Sequence, residues 1–280
     1  MKTSRLRFLR TATKGSLYAL LLCWSLVCLY PFVWMLSATV RPEVEIGRLN
    51  PIPGKLTLES YRLVFSKIPI ARAFANSLFV SFSATAGVLI FTSMIGYALS
   101  RLRFRGRDGL FAVVLFTMTL PFQITLIPTY VLMVKFGWND TYYALIVPYM
   151  INAFAIVVFR QYFKSVPQDL LDAARIDGCS DFGILFRIMW PLSVPALITV
   201  AILTFMNIWN EVLWPIIVIR KWELMTMPQL VALFAVGGKA EGLLGVRLAA
   251  AALLALPIII AYAFFQRYFI ASMATTGLKS

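Results

Sequence analysis

Long apolar runs alternate with short charged clusters along most of this chain. A helix that crosses the hydrocarbon core of a bilayer needs about 20 apolar residues. The pattern therefore predicts an all-α integral membrane protein with about six transmembrane helices. Pro121 and Pro128 lie inside the third run and predict a kinked helix there. The apolar runs lie near residues 17–37, 74–99, 110–134, 142–159, 192–218 and 248–265.

The clusters between the runs divide the chain into regions. Within the core region, residues 160–191 form a long charged loop between the fourth and fifth spans. The first run is longer than the roughly 7–15 apolar residues of a cleaved signal peptide, so a retained anchor helix is favoured. The predicted regions are, in order, a basic cytoplasmic tail (1–16), a first spanning helix (17–37), an extracytoplasmic loop (38–73), a core domain with five spans (74–266) and a cytoplasmic tail (267–280).

The composition agrees with a chain that lipid solvates. Of its 280 residues, 60% are hydrophobic and 14% are charged, and none is histidine. A soluble domain carries roughly a quarter charged residues. The net charge of +14 could indicate nucleic acid, but the basic residues lie between apolar runs. We interpret them as orientation signals and contacts to lipid headgroups, and we expect no nucleic-acid partner.

Basic residues in short loops favour one orientation across a cell membrane. The amino-terminal tail is basic, and the turn between the second and third runs carries four arginines between Arg101 and Arg107 against one acid, Asp108. Such clusters stay on the cytoplasmic side, so both termini and the 160–191 loop are predicted to lie there. The 38–73 loop counts against this orientation with six basic residues, although acids offset them and long loops count less.

The residues present make several kinds of chemistry unsuitable. The chain has no histidine. Cys23 and Cys28 lie in the first apolar run, whereas Cys179 lies in the polar 160–191 loop, so we expect no metal site. No G-x-x-x-x-G-K-[ST] string occurs, so the chain cannot cradle ATP phosphates through a P-loop of its own. A membrane enzyme would need clustered acids or an activated nucleophile, and the sequence offers no such catalytic residues.

The 160–191 loop contains a short helix with strong end signals. Pro167 fits its first position, Asp169 complements the macrodipole, and Gly178 can adopt the left-handed conformation that ends it. From these residues alone, the helix could seat in a groove of a partner or lie on the membrane surface. One face carries mostly small residues, and a second short helix is predicted to follow with Ser180 as its cap. The two faces are Leu170, Ala173, Ala174 and Asp177, and then Phe182, Leu185, Phe186 and Met189.

The same loop resembles the E-A-A-x3-G-x9-I-x-L-P loop of ATP-binding-cassette importer permeases. The spacing fits throughout, with Asp172 in place of the usual Glu and Trp190 in place of the usual Leu. The resemblance implies an EAA-like coupling helix between spans 4 and 5 that seats in a cleft of a separate ATPase subunit. No cofactor is then expected on this chain, because ATP and Mg²⁺ would bind the partner. The implied ATPase-coupling residues are Asp172, Ala173, Ala174, Gly178, Ile188 and Pro191.

Other segments resemble the sugar-importing branch of that family, specifically its six-span second permease. The resemblance implies a heterodimer with a second permease subunit, two ATP-binding-cassette ATPase subunits and an extracytoplasmic sugar-binding protein. It implies a location in the cell membrane, with membrane lipid around the spans. The segments that carry it are 96–106, Asn76-Ser77, Leu120-Pro121, Ile127-Pro128, Trp209-Asn210-Glu211 with Pro215, Gln266-Arg-Tyr-Phe, and Gly277-Leu-Lys279.

Polar residues within the apolar runs are candidates for the substrate pathway. Amides and carboxylates bind sugar hydroxyls, and aromatic faces bind the apolar side of a sugar ring. Asn207, Asn210 and Glu211 fit one helical face at i, i+3 and i+4 spacing. The alternative is that these groups bond across helices and hold the bundle together. The candidates are Gln123, Tyr149, Asn152, Asn207, Trp209, Asn210 and Glu211.

Two other functions stay open at this point. An importer for another solute, such as glycerol-phosphate or a polyamine, is the closest, but no Lys or Arg lies well inside a predicted span to bind an anion. An ion-coupled secondary transporter is the second alternative. Against it, Glu211 is the sole carboxylate within a predicted span, and no inverted repeat is visible.

Overall fold

Every regular element among the described residues is helical. The computed structural model describes residues 2–47, 52, 54–236 and 243–277, with side chains described for 14–47, 52, 54–234, 243–260, 263 and 264. The helices are α1 (Lys2–Thr39), α2 (Glu59–Lys67), α3 (Ile70–Arg101), α4 (Arg107–Thr117), α5 (Phe122–Lys135), α6 (Tyr142–Ile146), α7 (Ala153–Ser165), α8 (Gln168–Ile176), α9 (Asp181–Ile184), α10 (Trp190–Leu192), α11 (Val194–Trp209), α12 (Leu213–Val218), α13 (Met227–Val236) and α14 (Leu244–Gly277). Short 3₁₀ turns lie at Glu43–Glu45, Val147–Tyr149 and Trp222–Leu224, and a π-helical turn at Leu185–Met189.

Two of these helices are long and apolar enough to cross a bilayer unbroken. They are Lys14–Thr39 within α1, and α3 with 32 residues. Three further pairs qualify when each bent pair is counted as one span, which gives up to five among the described residues. Leu244–Ile260 in α14 is apolar but shorter. The described part of the chain therefore contains two unbroken helices and several interrupted ones.

The third run breaks where a kink was expected. Helices α4 and α5 meet at an angle of 103° across a short break before Phe122. Pro121 lies at this break and has an extended ψ of 139°. It has no N–H to continue a helical ladder, and it disfavours helical conformation in the residue before it. Pro128 stays inside α5. The predicted bend is confirmed. It lies at Pro121 and not at Pro128, and it interrupts the helix instead of kinking it.

The fourth and fifth runs are also interrupted. Helix α7 follows the turn at Val147–Tyr149 with a bend of 41°, and α11 follows α10 with a bend of 86°. The fifth run, predicted over 192–218, ends as a helix at Trp209 and resumes as α12. The predicted 38–73 loop contains α2, so it is partly helical.

The described residues form two units by their contacts, one from 1–68 and 233–256, the other from 69–232 and 257–280. In the second unit, α3 packs along α7 and α11. Its apolar core includes Val88 from α3, Phe159 and Phe163 from α7, and Val200 from α11, all buried. Gly96 lets α7 approach α3 closely, since a β carbon there would lie 2.7 Å from the Phe159 β carbon. This packing places the loop between α7 and α11 beside one end of α3.

In the first unit, a carboxylate caps the start of α14. Glu43 accepts hydrogen bonds from the backbone N–H groups of Leu244 at 2.5 Å and Gly245 at 3.0 Å. The first N–H groups of a helix have no partner within it, and a negative charge also complements the positive end of the macrodipole. Glu43 therefore joins the segment after α1 to the beginning of α14.

We expect Glu43→Ala to lower the free energy of unfolding by about 1 kcal/mol, because two helix N–H groups lose their acceptor. The measurement is thermal unfolding of the purified full-length protein in detergent. Glu59→Ala removes an exposed acid from the first turn of α2 and serves as the control. Equal midpoints for the two variants would contradict the capping role of Glu43.

Candidate functional site

Helix α8 has the end structures that its sequence predicts. Gly178 has a φ of +80°, and the chain around it forms a Schellman motif. The Cys179 N–H donates to the Ala174 carbonyl at 2.9 Å, and the Gly178 N–H donates to the Arg175 carbonyl at 3.0 Å. Pro167 is the N-cap of α8 and not its first helical residue, because its ψ of 137° is extended. The helix begins at Gln168. The left-handed conformation predicted for Gly178 is confirmed.

The face predicted for α8 is divided between the interior and the surface. Ala174 is buried with Leu171 in the core of the second unit. Leu170 is 46% exposed and Ile176 is 86% exposed, and Ala173 is exposed as well. The prediction of one four-residue docking face was wrong, because α8 packs Ala174 against its own chain. Leu170, Ala173 and Ile176 are the apolar residues left exposed for contact with another molecule.

The second short helix begins as predicted at Ser180. Its hydroxyl accepts a hydrogen bond from the Gly183 N–H at 3.2 Å. The predicted apolar face is again divided, since Leu185 and Met189 are buried whereas Phe182 is 62% exposed. The π-helical turn at Leu185–Met189 adds one residue to the helical turn, which moves the face out of a regular register.

The residues of the resemblance motif beyond Gly178 lie in this second segment. Ile188 is half-buried against the core, and Pro191 is exposed. Trp190, which replaces the usual Leu, donates from its indole Nε1 to the Ser93 hydroxyl on α3 at 3.0 Å. The larger side chain thus ties the end of the loop to α3 by a hydrogen bond that leucine cannot make.

Asp172 makes its contacts within α8. Its Oδ1 accepts from Gln168 Nε2 at 3.0 Å and forms an ion pair with Arg175 Nη1 at 3.3 Å. Both charged side chains are more than a third exposed, so solvent screens the pair. The exposed carboxylate of Asp172 remains accessible to another molecule.

A cavity of about 660 Å³ lies in the second unit between α5, α7 and α11. Four of the seven predicted pathway residues line it, namely Tyr149, Asn152, Asn207 and Glu211. The structure therefore brings together residues that are up to 62 positions apart in the chain. The other lining residues are mainly aromatic, aliphatic or threonine: Phe122, Thr125, Thr129, Leu132, Met133, Phe136, Trp138, Val147, Pro148, Ile151, Thr204, Ile208 and Trp214.

The polar groups of the cavity differ in how much bonding capacity they retain. The Tyr149 hydroxyl oxygen is buried and has no hydrogen-bond partner among the described residues. Asn152 uses its Oδ1 to accept from the Ala155 N–H at 3.0 Å, which caps α7 and leaves its amide NH₂ to donate. Asn207 is exposed on the cavity wall. A ligand with hydroxyl groups could therefore bond to the exposed side chains of Asn152 and Asn207, whereas the Tyr149 hydroxyl oxygen is not accessible.

Glu211 has a structural role at the end of this cavity. Its Oε1 accepts from the backbone N–H groups of Leu213 at 2.9 Å and Trp214 at 3.2 Å. These bonds cap α12, where the fifth run resumes after its break. Because one oxygen makes both bonds, the other oxygen of the carboxylate keeps its acceptor capacity.

Three predicted pathway residues do not line the cavity. Gln123 is exposed elsewhere on α5. Trp209 is fully buried, with its ring 5.7 Å from Phe74 and 5.8 Å from Phe205 between ring centroids. Asn210 donates from Nδ2 to the Met206 carbonyl at 2.8 Å. Of the predicted face, Asn207 and Glu211 reach the cavity and Asn210 does not, since the helix ends at Trp209.

Several functional candidates were not predicted from the sequence. Thr125 and Thr129 line the cavity from α5, and their i, i+4 spacing on an apolar helix was the available signal. Arg101 was interpreted only as an orientation signal. In the structure its guanidinium donates to the Phe163 and Val166 carbonyls at the end of α7 and to Gln168 Oε1 at 2.8 Å. Its position in the last turn of a long helix gave no indication of these partners.

Comparison with known proteins defines the class. Residues 89–275 match the family described as binding-protein-dependent transport system inner membrane component. The chain belongs to this family, and it is a membrane component of a transport system. Its helical composition and apolar helices agree with that membership.

Individual relatives and one solved structure extend the match over nearly the whole chain. The arabinooligosaccharides transport system permease protein AraQ of Halalkalibacterium halodurans is 38% identical, over 90% of this chain and 92% of the relative. The polygalacturonan/rhamnogalacturonan transport system permease protein YtcP of Bacillus subtilis is 31% identical, over 90% and 93%. A chain from the crystal structure of a bacterial ABC transporter involved in the import of the acidic polysaccharide alginate is 30% identical, with a TM-score of 0.80 over 91% of this chain and 96% of that one.

Proposed function

We propose that this chain is the permease subunit of an ATP-driven, binding-protein-dependent importer of a sugar or oligosaccharide. It forms half of the translocation pathway, and a separate ATPase supplies the work. The observation that carries the sugar assignment is the full-length similarity to a permease for arabinooligosaccharides, joined to a cavity whose walls suit a sugar. The chain itself catalyses no covalent step.

The cavity supports this assignment by its chemistry. Phe122, Phe136 and Trp138 supply aromatic faces for the apolar side of a sugar ring. The exposed amide groups of Asn152 and Asn207 supply hydrogen bonds to hydroxyl groups. An importer must release its substrate, so a wide cavity with few directed polar groups suits the function better than a tight site.

The charge of the cavity favours a neutral sugar. Among the described residues that line it, Glu211 is ionisable as a carboxylate, and none is lysine or arginine. Relatives of similar identity are named for both arabinooligosaccharides and polygalacturonan, so the family alone does not decide the charge of the substrate. An anionic sugar or glycerol-phosphate would bring its charge close to Glu211 without a compensating cation. The substrate is therefore expected to be a neutral oligosaccharide, such as an arabinooligosaccharide.

We further propose that α8 is the coupling helix. Its exposed side carries Leu170, Ala173, Ile176 and Asp177, and Asp172 lies beside them. A cleft in an ATPase subunit would receive this side, whereas Leu171 and Ala174 hold the helix to the bundle. Gly178, Ile188 and Pro191 then shape the corner and the return of the loop. The interrupted helices would complete six spans, with both termini and α8 in the cytoplasm.

The proposed assembly contains two ATPase subunits, a second permease subunit and an extracytoplasmic binding protein. The decisive experiment is to tag this chain, extract it gently from its native host membrane and identify co-purifying proteins by mass spectrometry. A second multi-span protein together with a P-loop ATPase in excess is the expected result. A chain that purifies alone, with uptake that a protonophore abolishes and ATP depletion does not, would overturn the proposal and favour an ion-coupled transporter.

The cavity proposal gives a quantitative prediction for Asn207. We expect Asn207→Ala to raise the KM for sugar uptake about three- to tenfold, because one hydrogen bond to the substrate is lost. Asn210→Ala is the matched control, since Asn210 bonds to its own helix and does not line the cavity. Uptake by the reconstituted transporter over a range of sugar concentrations gives both constants. Equal KM values for the two variants would contradict a substrate contact at Asn207.

A further inference from the structure

A chain of polar contacts joins α8 to one end of α3. On α3, Arg101 donates to Gln168 Oε1 at 2.8 Å, and the Tyr97 hydroxyl donates to Asp181 Oδ1 at 2.9 Å. Within the loop, Arg175 forms ion pairs with both Asp172 at 3.3 Å and Asp181 at 3.5 Å, which connects these two groups of contacts. We call Tyr97, Arg101, Gln168, Asp172, Arg175 and Asp181 the polar joint.

The joint has a firm attachment on α3 and a second one on α7. Besides Gln168, Arg101 donates from Nε to the Phe163 carbonyl at 3.0 Å and also contacts the Val166 carbonyl. These carbonyls lie at the end of α7, where the helical ladder stops; the Phe163 carbonyl also accepts from the Val166 N–H at 3.3 Å. Bonds from a guanidinium to such acceptors are stronger than neutral ones. Arg101 thus fixes the point at which the chain leaves α7 and enters α8.

The Tyr97 ring adds an apolar contact to the same joint. It is buried in the core that also contains Leu171 and Ala174 of α8. Its hydroxyl alone reaches the polar side, where it meets Asp181. Helix α8 is therefore held to α3 by packing on its inner side, by the hydrogen bond to Gln168 at its start, and near its end through Asp181 of α9, which pairs with Arg175.

The other end of α3 is attached in a comparable way to a different segment. Asn76 donates from Nδ2 to the carbonyls of Glu223 at 2.9 Å and Met225 at 3.0 Å, and accepts from the Tyr142 hydroxyl at 2.8 Å. The Ser77 hydroxyl accepts from the Met227 N–H at 2.7 Å. Asn76 and Ser77 are buried. The segment 223–227 is thus bonded to α3 about 32 Å from Tyr97 and about 38 Å from Arg101, at 1.5 Å per residue of helix.

Between these attachments α3 is unbroken, whereas the other candidate spans of the second unit are bent pairs. A continuous helix transmits displacement along its axis, and a helix with a break can absorb it. We infer that Tyr97 and Arg101 are positioning residues through which α3 follows the coupling helix, so that movement of α8 reaches segment 223–227. This inference rests on the proposed function, since it assumes that an ATPase moves α8.

The test measures sugar transported per ATP hydrolysed by the complete complex in proteoliposomes. We expect Arg101→Gln to lower this ratio about tenfold while ATP hydrolysis without binding protein is retained. Arg103→Gln is the matched control, because Arg103 is exposed two residues away and makes no hydrogen bond or ion pair among the described residues. Arg101→Lys keeps the charge but loses the fork of donors, so it should restore the ratio in part.

Tyr97→Phe provides a second variant that keeps the packed ring and removes only the hydroxyl. We expect a smaller fall in the ratio, about threefold, with Tyr143→Phe on an exposed ring as its control. The amount of assembled complex is measured for every variant by size-exclusion chromatography. If Arg101→Gln reduces assembly, Tyr97→Phe decides the question in its place.

The outcomes separate the inference from the proposed function. An unchanged ratio in Arg101→Gln, or in Tyr97→Phe where Arg101→Gln does not assemble, would overturn the role of the joint. A wild-type complex that neither hydrolyses ATP nor takes up sugar would overturn the proposed function itself. A lowered ratio at normal assembly supports the inference, because a residue that only stabilises the fold would change the amount of complex and leave the ratio constant.

Discussion

Replacing Gly178 by valine is expected to reduce sugar uptake about tenfold or more, while the protein still inserts into the membrane. Gly178 has a φ of +80° at the corner that ends α8. A residue with a β carbon costs about 1–2 kcal/mol in this conformation, and a β-branched residue is an outlier there. In the described part of the chain no atom outside the neighbouring residues lies within 4 Å of the position that the β carbon would take, so the strain is in the backbone.

The strain falls on the part of the loop that sets its direction. The Schellman hydrogen bonds of Gly178 and Cys179 turn the chain from α8 into the helix capped by Ser180. If Gly178 leaves the left-handed region, those bonds are lost and α8 meets its partner at a different angle. The change lies outside the apolar runs, which is why insertion should continue while coupling fails.

Gly178→Asn is the control at the same position. Asparagine adopts the left-handed conformation far more readily than valine, so most of the uptake should remain. The measurement is uptake of labelled sugar by cells, normalised to the amount of protein in the membrane fraction. Equal activity of the valine and asparagine variants would show that the conformation of the corner is unimportant, and would remove the main support for α8 as a lever.

Local signals explain why α8 could be predicted from the sequence. Asp169 in the first turn, Gly178 after the last turn and Ser180 as the next cap act within a few residues of chain, so the sequence specifies them directly. The division of the faces could not be read in this way. Whether Ala174 or Ala173 is buried depends on where α3 and the second short helix lie, and two adjacent alanines give no preference.

The interruptions of the helices were only partly predictable. Pro121 gave a local reason for a bend, and the structure has a break there. Pro215 gives a local reason for the break after Trp209, because it has no N–H to donate to the Glu211 carbonyl four residues earlier. Glu211 caps α12, and the Trp214 indole donates to the Ala144 carbonyl at 2.8 Å. Because the break ends the helical register, the spacing of Asn207, Asn210 and Glu211 did not predict which of them reach the cavity.

The buried position of Trp209 illustrates the same limit for aromatic residues. A tryptophan next to amides in an apolar run fits a sugar platform and a packed core equally well. Its actual partners, Phe74 and Phe205, come from α3 and from one turn earlier in α11. Trp138, which does line the cavity, follows α5 in a polar turn that gave no sign of a pathway.

Gly96→Ala is expected to reduce the amount of folded protein severely, because α7 cannot stay at its present distance from α3. The added β carbon would lie 2.7 Å from the Phe159 β carbon and 3.1 Å from the Arg160 backbone nitrogen. Both contacts involve parts of α7 that move only with the whole helix. Phe159 is fully buried and stacks on Phe163 at 5.6 Å between ring centroids. Overpacking of this kind costs about 1–3 kcal/mol, and the cost here includes displacement of a helix.

Two glycines of the same chain provide controls for the same substitution. At Gly87 on α3 the new β carbon would meet the Met150 side chain, which is flexible and can move, so we expect a smaller loss. At Gly109 on α4 no other described residue comes within 4 Å of the new β carbon, and alanine should stabilise the helix by about 1 kcal/mol. The measurement is the thermal midpoint and the yield of monodisperse protein in detergent. The order Gly109→Ala, Gly87→Ala, Gly96→Ala from most to least stable is expected; any order that places Gly96→Ala above Gly87→Ala would contradict close helix packing at Gly96.

Since Arg101 lies a little over one turn beyond Gly96 on the same helix, the displacement of α7 would also separate the Phe163 carbonyl from its guanidinium donor. A surviving fraction of the Gly96→Ala protein should therefore show a lowered ratio of sugar transported to ATP hydrolysed, as Arg101→Gln does.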